Sequence, residues 1–191
     1  MIKIGILGDI GSGKSFVAKQ FGYPIFNADN EVKVIYKKDK KCYLKLKKAI
    51  SKHIVSFPIN KKEIVKSILS NRKNLKKIIK IVHPIVRSKM NKFINKNKNK
   101  KMIILDIPLL LENKLNKKDY ILIYVDAKKK KINEILKKRK NYNLKVIKLF
   151  KKLQLSLNHK KKKSNFVIVN NFKSKSVKKN VTFLKNKILN K

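Results

Sequence analysis

Residues Gly8–Ser15 read GDIGSGKS and match the pattern GxxxxGK[ST] at every fixed position, which constrains the fold of this chain more than any other feature. In such a loop the glycines let the backbone curl, so that successive N–H groups point inward and bind an anion. A short apolar run, Ile2–Leu7, precedes the loop, and helical patterning over Lys14–Phe21 follows it, as the motif requires. All five glycines lie between Gly5 and Gly22, so glycine is concentrated around this turn. The sequence therefore predicts a loop that binds the phosphates of a nucleoside triphosphate.

Two side chains of the loop have predicted roles in that binding, and a third is unexpected. Lys14 is placed to reach the terminal phosphates, and the hydroxyl of Ser15 is placed to ligate Mg²⁺. Asp9 is unexpected because a carboxylate in this loop opposes phosphate unless it faces solvent or meets a lysine. The predicted ATP contacts are the loop and the residue after it, namely Gly8, Asp9, Ile10, Gly11, Ser12, Gly13, Lys14, Ser15 and Phe16.

Apolar runs of strand length alternate with helical patterns along much of the chain. The predicted strands are Ile2–Leu7, Pro24–Asn27, Met102–Ile107, Tyr120–Val125 and Phe166–Val169. The predicted helices between them are Lys14–Phe21, Lys128–Lys138, Leu144–Asn158 and Val177–Leu189, with a polar break at Arg139–Asn143. Strands that alternate with helices indicate a parallel sheet covered on both faces. We therefore predict an α/β fold of the three-layer P-loop NTPase type with a five-stranded parallel sheet.

The region from Asp29 to about Lys100 differs from the rest because its apolar spacing is helical and shows no clear strand. A polar run, Asn95–Lys101, follows and predicts a loop. The predicted organisation is a nucleotide-binding core of residues 1–33 and 101–191, with a helical lobe of residues 34–100 inserted in it.

The formal net charge of +43 would by itself suggest a nucleic-acid-binding protein. Lysine, however, is spread over nearly every segment, and arginine, which makes the better bidentate contacts, occurs only at Arg72, Arg87 and Arg139. The residues in excess are Lys, Ile and Asn, whose codons are AT-rich. We attribute most of the charge to genome composition and expect no specific nucleic-acid partner.

Other features of the composition limit the cellular setting. No run of about 18 or more apolar residues is present, so we expect no transmembrane helix. We interpret Ile2–Leu7 as the first strand and not as a signal peptide, because it leads directly into the loop. Cys42 is the single cysteine, which excludes an internal disulfide and fits a cytoplasmic location. We favour a monomer.

Three carboxylates lie at or shortly after the ends of predicted strands. Asp29 comes just after the second strand and would either receive the proton of an acceptor hydroxyl or cap the helix that begins there. Asp106 closes an apolar strand beside the loop strand, where a carboxylate that helps to hold magnesium is expected. Glu112 is either an ordinary surface acid or part of the site.

Taken together, the motifs resemble those of the dephospho-coenzyme A kinase family, which performs the last step of coenzyme A synthesis. The family pattern runs GGIGSGKS, D-A-D, L-H-P-x-I-R, D-V-P-L-L-F-E, a late Q and A-D-x-V-I-x-N. The matching segments here, in the same order along nearly the whole chain, are Gly8–Ser15, Asn27–Asp29, Val82–Arg87, Asp106–Glu112, Gln154 and Asn165–Asn170.

The resemblance implies transfer of the ATP γ-phosphate to the 3′-hydroxyl of the ribose of dephospho-coenzyme A, with Mg²⁺ as cofactor. It implies that Asp29 is the catalytic base, that Arg139 closes on the ATP phosphates from a lid of about residues 128–160, and that residues 34–100 bind the acceptor. The acceptor-binding residues that it implies are His83, Arg87, Pro108, Leu109 and Glu112.

The chain departs from the family pattern at several positions. Asn27 replaces the first acid of D-A-D, Asp9 replaces a glycine, and Phe16 stands where threonine is common. Ile135 stands where the family has an earlier lid arginine, and Asn165 stands where it has Asp. Two alternatives remain open from sequence: another small-molecule kinase, such as a nucleoside monophosphate kinase, and a basic nucleic-acid-binding protein with a vestigial loop.

Overall fold

The computed structural model describes residues 1–139 and 142–190 and contains a five-stranded parallel sheet with the order β2-β3-β1-β4-β5. The strands are β1 (Ile2–Gly8), β2 (Ile25–Asn27), β3 (Met102–Asp106), β4 (Tyr120–Asp126) and β5 (Phe166–Val169). Each strand lies within about a residue of its predicted bounds, and the predicted α/β fold with a five-stranded parallel sheet is confirmed.

The helices fall into two compact units of the chain. Residues 1–27 and 97–191 form the first unit, whose helices are α1 (Lys14–Gln20), α6 (Lys129–Lys137), α7 (Leu144–Leu153), α8 (Leu157–Lys162) and α9 (Ser174–Leu189). Residues 28–96 form the second unit, whose helices are α2 (Ala28–Lys38), α3 (Lys40–Ala49), α4 (Lys61–Ser70) and α5 (Arg72–Lys96). The regular elements described in the second unit are all helices. This unit spans residues 28–96, so it begins and ends a few residues before the predicted bounds of 34 and 100.

Strand β1 is the centre of the sheet because it pairs with β3 on one side and with β4 on the other. Ile4 and Ile6 are fully buried, as expected of a strand covered on both faces. Gly5 has a packing role, since a Cβ built on it would lie 2.5 Å from Cδ2 of Leu110. The turn after β3 therefore packs directly against the backbone of β1.

Helices α1 and α9 cover the sheet with apolar faces of helical spacing. On α9 these buried residues are Val177, Val181, Leu184 and Ile188. They pack in one cluster with Val17, Ala18 and Phe21 of the loop helix and with the strands. This core fixes the strand and the helix that flank the phosphate loop.

One predicted helix was wrong, because the segment predicted as Leu144–Asn158 is split into α7 and α8. The backbone N–H of Leu155 donates to Oε1 of Glu112 at 3.0 Å and not to a helical carbonyl. The hydroxyl of Ser156 then accepts the N–H of His159 at 3.2 Å and caps α8. Of the predicted polar break, residues 140 and 141 lie outside the described residues.

Helix α5 is the longest element of the second unit, with 25 residues and an internal proline at Pro84. Proline lacks a backbone N–H, so one carbonyl of the preceding turn has no helical donor.

In the part of the chain that the structure describes, no helix combines the length and apolar character needed to cross a bilayer.

Candidate nucleotide site

The backbone of the phosphate loop adopts the conformation for which its glycines were predicted. Gly11 and Gly13 have φ angles of 86° and 85°, in the left-handed region that other residues rarely adopt. Both are also closely packed, because a Cβ on Gly11 would lie 2.9 Å from Cγ of Leu136. A Cβ on Gly13 would lie 2.2 Å from Nδ2 of Asn170. No larger residue fits at either position without moving its neighbours.

Asn170 binds the backbone of the phosphate loop through its side chain. The sequence had indicated only that this residue belongs to the last family motif. Its side chain is 1% exposed, and its Nδ2 donates to the carbonyl oxygen of Ser12 at 2.8 Å. Its Oδ1 accepts the N–H of Phe172 at 2.9 Å. Its own N–H donates to the carbonyl of Asp126 at 2.7 Å, which ties it to the end of β4. The loop is therefore joined to the ends of β4 and β5 through one residue, whose side chain binds the loop and whose backbone N–H binds β4.

The amine of Lys14 lies on the carbonyl oxygens of its own loop. Nζ is 2.8 Å from the carbonyl oxygen of Asp9 and 3.3 Å from that of Gly8. The side chain thus already curls over the loop whose N–H groups are predicted to bind phosphate. A cation there lowers the free energy of an anion on the loop.

Ser15, Asp106 and Asn27 form a polar cluster at the carboxyl ends of β2 and β3. The hydroxyl of Ser15 donates to Oδ2 of Asp106, with 2.5 Å between the oxygens. The Nδ2 of Asn27 donates to the same carboxylate oxygen at 2.6 Å. Asp106 is 3% exposed. Its carboxylate is held in place by hydrogen bonds from α1, through Ser15, and from β2, through Asn27. The predicted proximity of Ser15 and Asp106 is observed.

Asp9 is directed toward a lysine, one of the two ways in which its presence in the loop was expected to be tolerated. Its Oδ1 accepts the N–H of Ile10 at 2.7 Å, and its Oδ2 lies 3.6 Å from Nζ of Lys151 on α7. Tyr124 on β4 is near enough to be affected. Burial raises the pKa of its phenol, and the carboxylates of Asp126 and Asp9 raise the pKa further.

Ser12 in the loop and Phe16 just after it both turn their side chains into the protein. The side chain of Ser12 is 1% exposed, and among the described residues its hydroxyl has no hydrogen-bond partner. Phe16 packs its ring against the core cluster. The N–H of Ser12 donates to the carbonyl oxygen of Asp9 at 3.1 Å, and the predicted contacts of Ser12 and Phe16 with ATP stay predictions.

Asp29 is the second residue of α2 and so lies in the first turn of that helix. The partial positive charge of a helix N-terminus favours a carboxylate at this position, which is compatible with either predicted role. Arg139 comes directly after Lys138, the C-cap residue of α6, and the side chain of Arg139 is exposed. Its catalytic role stays a prediction.

His83 and Arg87 lie four residues apart on α5 and therefore share a face of that helix. They line a groove of about 490 Å³, together with Pro84, Ser88, Asn91, Lys92 and Asn95. Its lining includes the basic side chains of Arg87 and Lys92, which suit a phosphate-containing ligand.

Glu112 makes structural contacts that its predicted acceptor-binding role did not anticipate. Its Oε1 is 2.7 Å from Nζ of Lys160, and the two side chains are 10% and 1% exposed. The same oxygen accepts the N–H of Leu155. Its Oε2 is buried and has no hydrogen-bond partner among the described residues. Pro108 and Leu109, also predicted to bind the acceptor, are half-buried in the turn after β3.

Comparison with known proteins identifies the family. A family model described as dephospho-CoA kinase matches residues 2–176 of the chain. The chain belongs to the dephospho-CoA kinase family. The predicted resemblance is thus confirmed.

This member of the dephospho-CoA kinase family has curated relatives that match over part of their length. The dephospho-CoA kinase of Wolbachia sp. subsp. Brugia malayi (strain TRS) is 37% identical over 113 residues, which are 56% of this chain and 58% of that protein. The dephospho-CoA kinase of Bartonella henselae is 33% identical over 113 residues, which are 56% of this chain and 57% of that protein. The matched region spans somewhat more than half the length of these curated relatives.

Solved structures share the fold of this dephospho-CoA kinase family member. A structure from Thermus thermophilus has a TM-score of 0.80 at 24% identity, with 98% of this chain and 97% of that chain covered. The dephospho-CoA kinase from Campylobacter jejuni has a TM-score of 0.68 at 20% identity, with the same coverage of 98% and 97%. At these identities the likeness concerns the fold.

Proposed function

We propose that this chain is a dephospho-CoA kinase, which transfers the γ-phosphate of ATP to the 3′-hydroxyl of the ribose of dephospho-CoA. The observation that carries the proposal is the complete phosphate loop on the central strand, with Ser15 against Asp106, in a chain that belongs to this family. A parallel α/β sheet binds its ligands at the carboxyl ends of its strands, where this loop lies.

On the ATP side, the loop N–H groups bind the phosphate oxygens and Lys14 neutralises charge on the terminal phosphates. The amine of Lys14 exchanges its loop carbonyl contacts of 2.8 and 3.3 Å for phosphate oxygens. Arg139 approaches the same phosphates from the segment between α6 and α7, where charge develops in the transition state.

The donor set at Ser15 and Asp106 fits Mg²⁺, because this ion prefers hydroxyl and carboxylate oxygens and retains several waters. The two oxygens are 2.5 Å apart, and no cluster of three or more His, Cys, Asp or Glu that could hold a metal is found among the described residues. A site with few protein ligands is typical of magnesium that is shared with nucleotide phosphates. When bound, Mg²⁺ neutralises phosphate charge.

On the acceptor side, Asp29 takes the proton of the 3′-hydroxyl as that oxygen bonds to the γ-phosphorus. The bond from this phosphorus to the bridging oxygen breaks, and ADP leaves. His83 and Arg87 on the polar face of α5 supply donors for the phosphate groups of dephospho-CoA. Pro108, Leu109 and Glu112 stay in the proposed acceptor set. For Glu112, the oxygen that has no hydrogen-bond partner among the described residues is Oε2, which is buried.

The proposal is tested by supplying ATP and Mg²⁺ with a panel of acceptors and measuring both ADP release and the phosphorylated product. We expect phosphorylation of dephospho-CoA, and we expect Lys14→Ala to lower turnover by about 100-fold or more. Phosphorylation of a nucleoside monophosphate, with none of dephospho-CoA, would refute the proposal. Near-normal turnover of Lys14→Ala would refute the role of that residue.

Nucleic-acid binding is separated from this activity by its dependence on salt. With a formal net charge of +43, the chain will bind nucleic acid at low ionic strength whatever its function. We expect that binding to fall steeply toward 150 mM salt and to show no sequence preference. Sequence-specific binding that persists at that salt would favour the alternative. We further propose a cytoplasmic, monomeric enzyme.

A further inference from the structure

The contact between Asp9 and Lys151 joins the phosphate loop to α7. Asp9 Oδ2 lies 3.6 Å from Nζ of Lys151, and the two side chains are 12% and 36% exposed. The other carboxylate oxygen of Asp9 accepts the N–H of Ile10 at 2.7 Å. The carboxylate is thus held by the loop backbone on one side and by a cation from a distant part of the chain on the other.

A carboxylate in this loop acts against the ligand of the loop. The nucleotide brings several negative charges to the same backbone, and partial burial of Asp9 leaves little water to screen the repulsion. The amine of Lys14 lies on the main-chain oxygens of Asp9 and Gly8. Lys151 places a cation beside the side-chain carboxylate of Asp9.

We propose that Lys151 is a positioning residue for the nucleotide: it neutralises Asp9 and keeps that carboxylate turned away from the phosphates. The inference rests on the proposed function, since it takes ATP as the ligand of the loop. Lys151 acts through Asp9, so removing Asp9 makes Lys151 unnecessary. This conditional behaviour distinguishes the pair from a lysine that contacts phosphate itself.

The test is a double-mutant cycle on the full chain, with ATP affinity measured by calorimetry in the presence of Mg²⁺ at 150 mM salt. We expect Lys151→Ala to weaken ATP binding by about tenfold. The matched control is Lys152→Ala, which removes one positive charge from an exposed neighbour on the same helix and should change affinity less than about twofold. Lys151→Arg should restore binding, because it keeps the cation.

The decisive comparison is made in an Asp9→Gly background. There, Lys151→Ala should no longer weaken ATP binding, and the double variant should bind ATP at least as tightly as the wild type. In steady-state assays Lys151→Ala should raise the KM for ATP and leave kcat within about twofold, whereas a general loss of structure would lower kcat.

Two results would overturn the inference. One is an equal effect of Lys151→Ala and Lys152→Ala; the other is an undiminished effect of Lys151→Ala in the Asp9→Gly background. Failure of the proposed function has a different signature, because wild-type protein would then bind ATP with the expected dependence on Asp9 and Lys151 yet phosphorylate no dephospho-CoA.

Discussion

Replacing Asn170 by alanine tests how the phosphate loop is supported. The substitution removes the donor to the carbonyl oxygen of Ser12 and the acceptor of the N–H of Phe172, at a site that is 1% exposed. Each buried group left without a partner costs about 1 to 3 kcal/mol, so for two groups we expect a loss of about 2 to 6 kcal/mol in the free energy of unfolding. For a domain of this size, about 3 kcal/mol lowers Tm by about 6 to 12 °C.

The assay is urea unfolding followed by circular dichroism, with Asn171→Ala as the matched control. Asn171 is the next residue and also makes two side-chain hydrogen bonds, at 3.0 and 3.1 Å, but it is exposed. Water can replace its bonds, so we expect this control to lose less than about 1 kcal/mol. A similar loss for the two variants would refute the argument that burial of Asn170 makes its bonds important.

The same variant links stability to ligand binding. Gly13 lies against the side-chain amide of Asn170, so removal of that amide opens space beside the loop. We expect weaker ATP binding by Asn170→Ala under conditions in which the variant is fully folded. Unchanged ATP affinity would show that the loop keeps its conformation without this support.

Three further predictions concern other sites. Asp29→Asn should lower kcat by more than it weakens ATP binding, which steady-state and binding assays separate; a pure binding defect would favour helix capping. Lys160→Ala should cost about 3 to 5 kcal/mol in urea unfolding, because it leaves Glu112 buried without its cation at 2.7 Å. The control Lys161→Ala breaks an exposed pair and should cost less than about 1 kcal/mol. Burial, then the charge of a nearby carboxylate, raises the pKa of the Cys42 thiol to about 11 from 9.0, so alkylation at pH 8, followed by mass spectrometry, should be about 100-fold slower in folded than in unfolded protein.

The sequence was sufficient to predict features that depend on local pattern. Strands such as Phe166–Val169 were predicted at their observed bounds, because a short apolar run between polar segments has few other uses in an α/β chain. The phosphate loop was predictable because its glycines are required by the backbone itself. Placement of Ser15 beside Asp106 followed from the edge at which parallel strands end.

The contacts that sequence could not supply join residues far apart in the chain. Nothing in the local pattern of Leu144–Asn158 shows that Glu112 accepts the N–H of Leu155 and helps to end the helix. The contact of Lys151 with Asp9 is equally hidden, because this lysine is one of many on an apparently ordinary amphipathic helix. In a chain so rich in lysine, the presence of a lysine at a given position says little about its function. The function of each lysine depends on the group that it contacts in the folded structure.

Two departures from the family pattern become understandable through their hydrogen bonds. Asn27 donates to Asp106 at 2.6 Å, where a second carboxylate would face the first and repel it. Asn165 accepts the N–H of Leu122 at 2.8 Å through its side-chain oxygen, an acceptor that an aspartate would also provide. Both substitutions are therefore compatible with the observed fold.

The central position of β1 in the sheet also sets the order in which the protein can be assembled during synthesis. Both neighbours of β1 follow residues 28–96 in the chain, because β3 starts at Met102 and β4 ends at Asp126. On the ribosome the first strand and its loop must therefore wait, with Ile4 and Ile6 uncovered, while the whole helical unit is made. The phosphate loop is therefore translated before both strands that pair with β1, and the sheet that supports it is completed only after them.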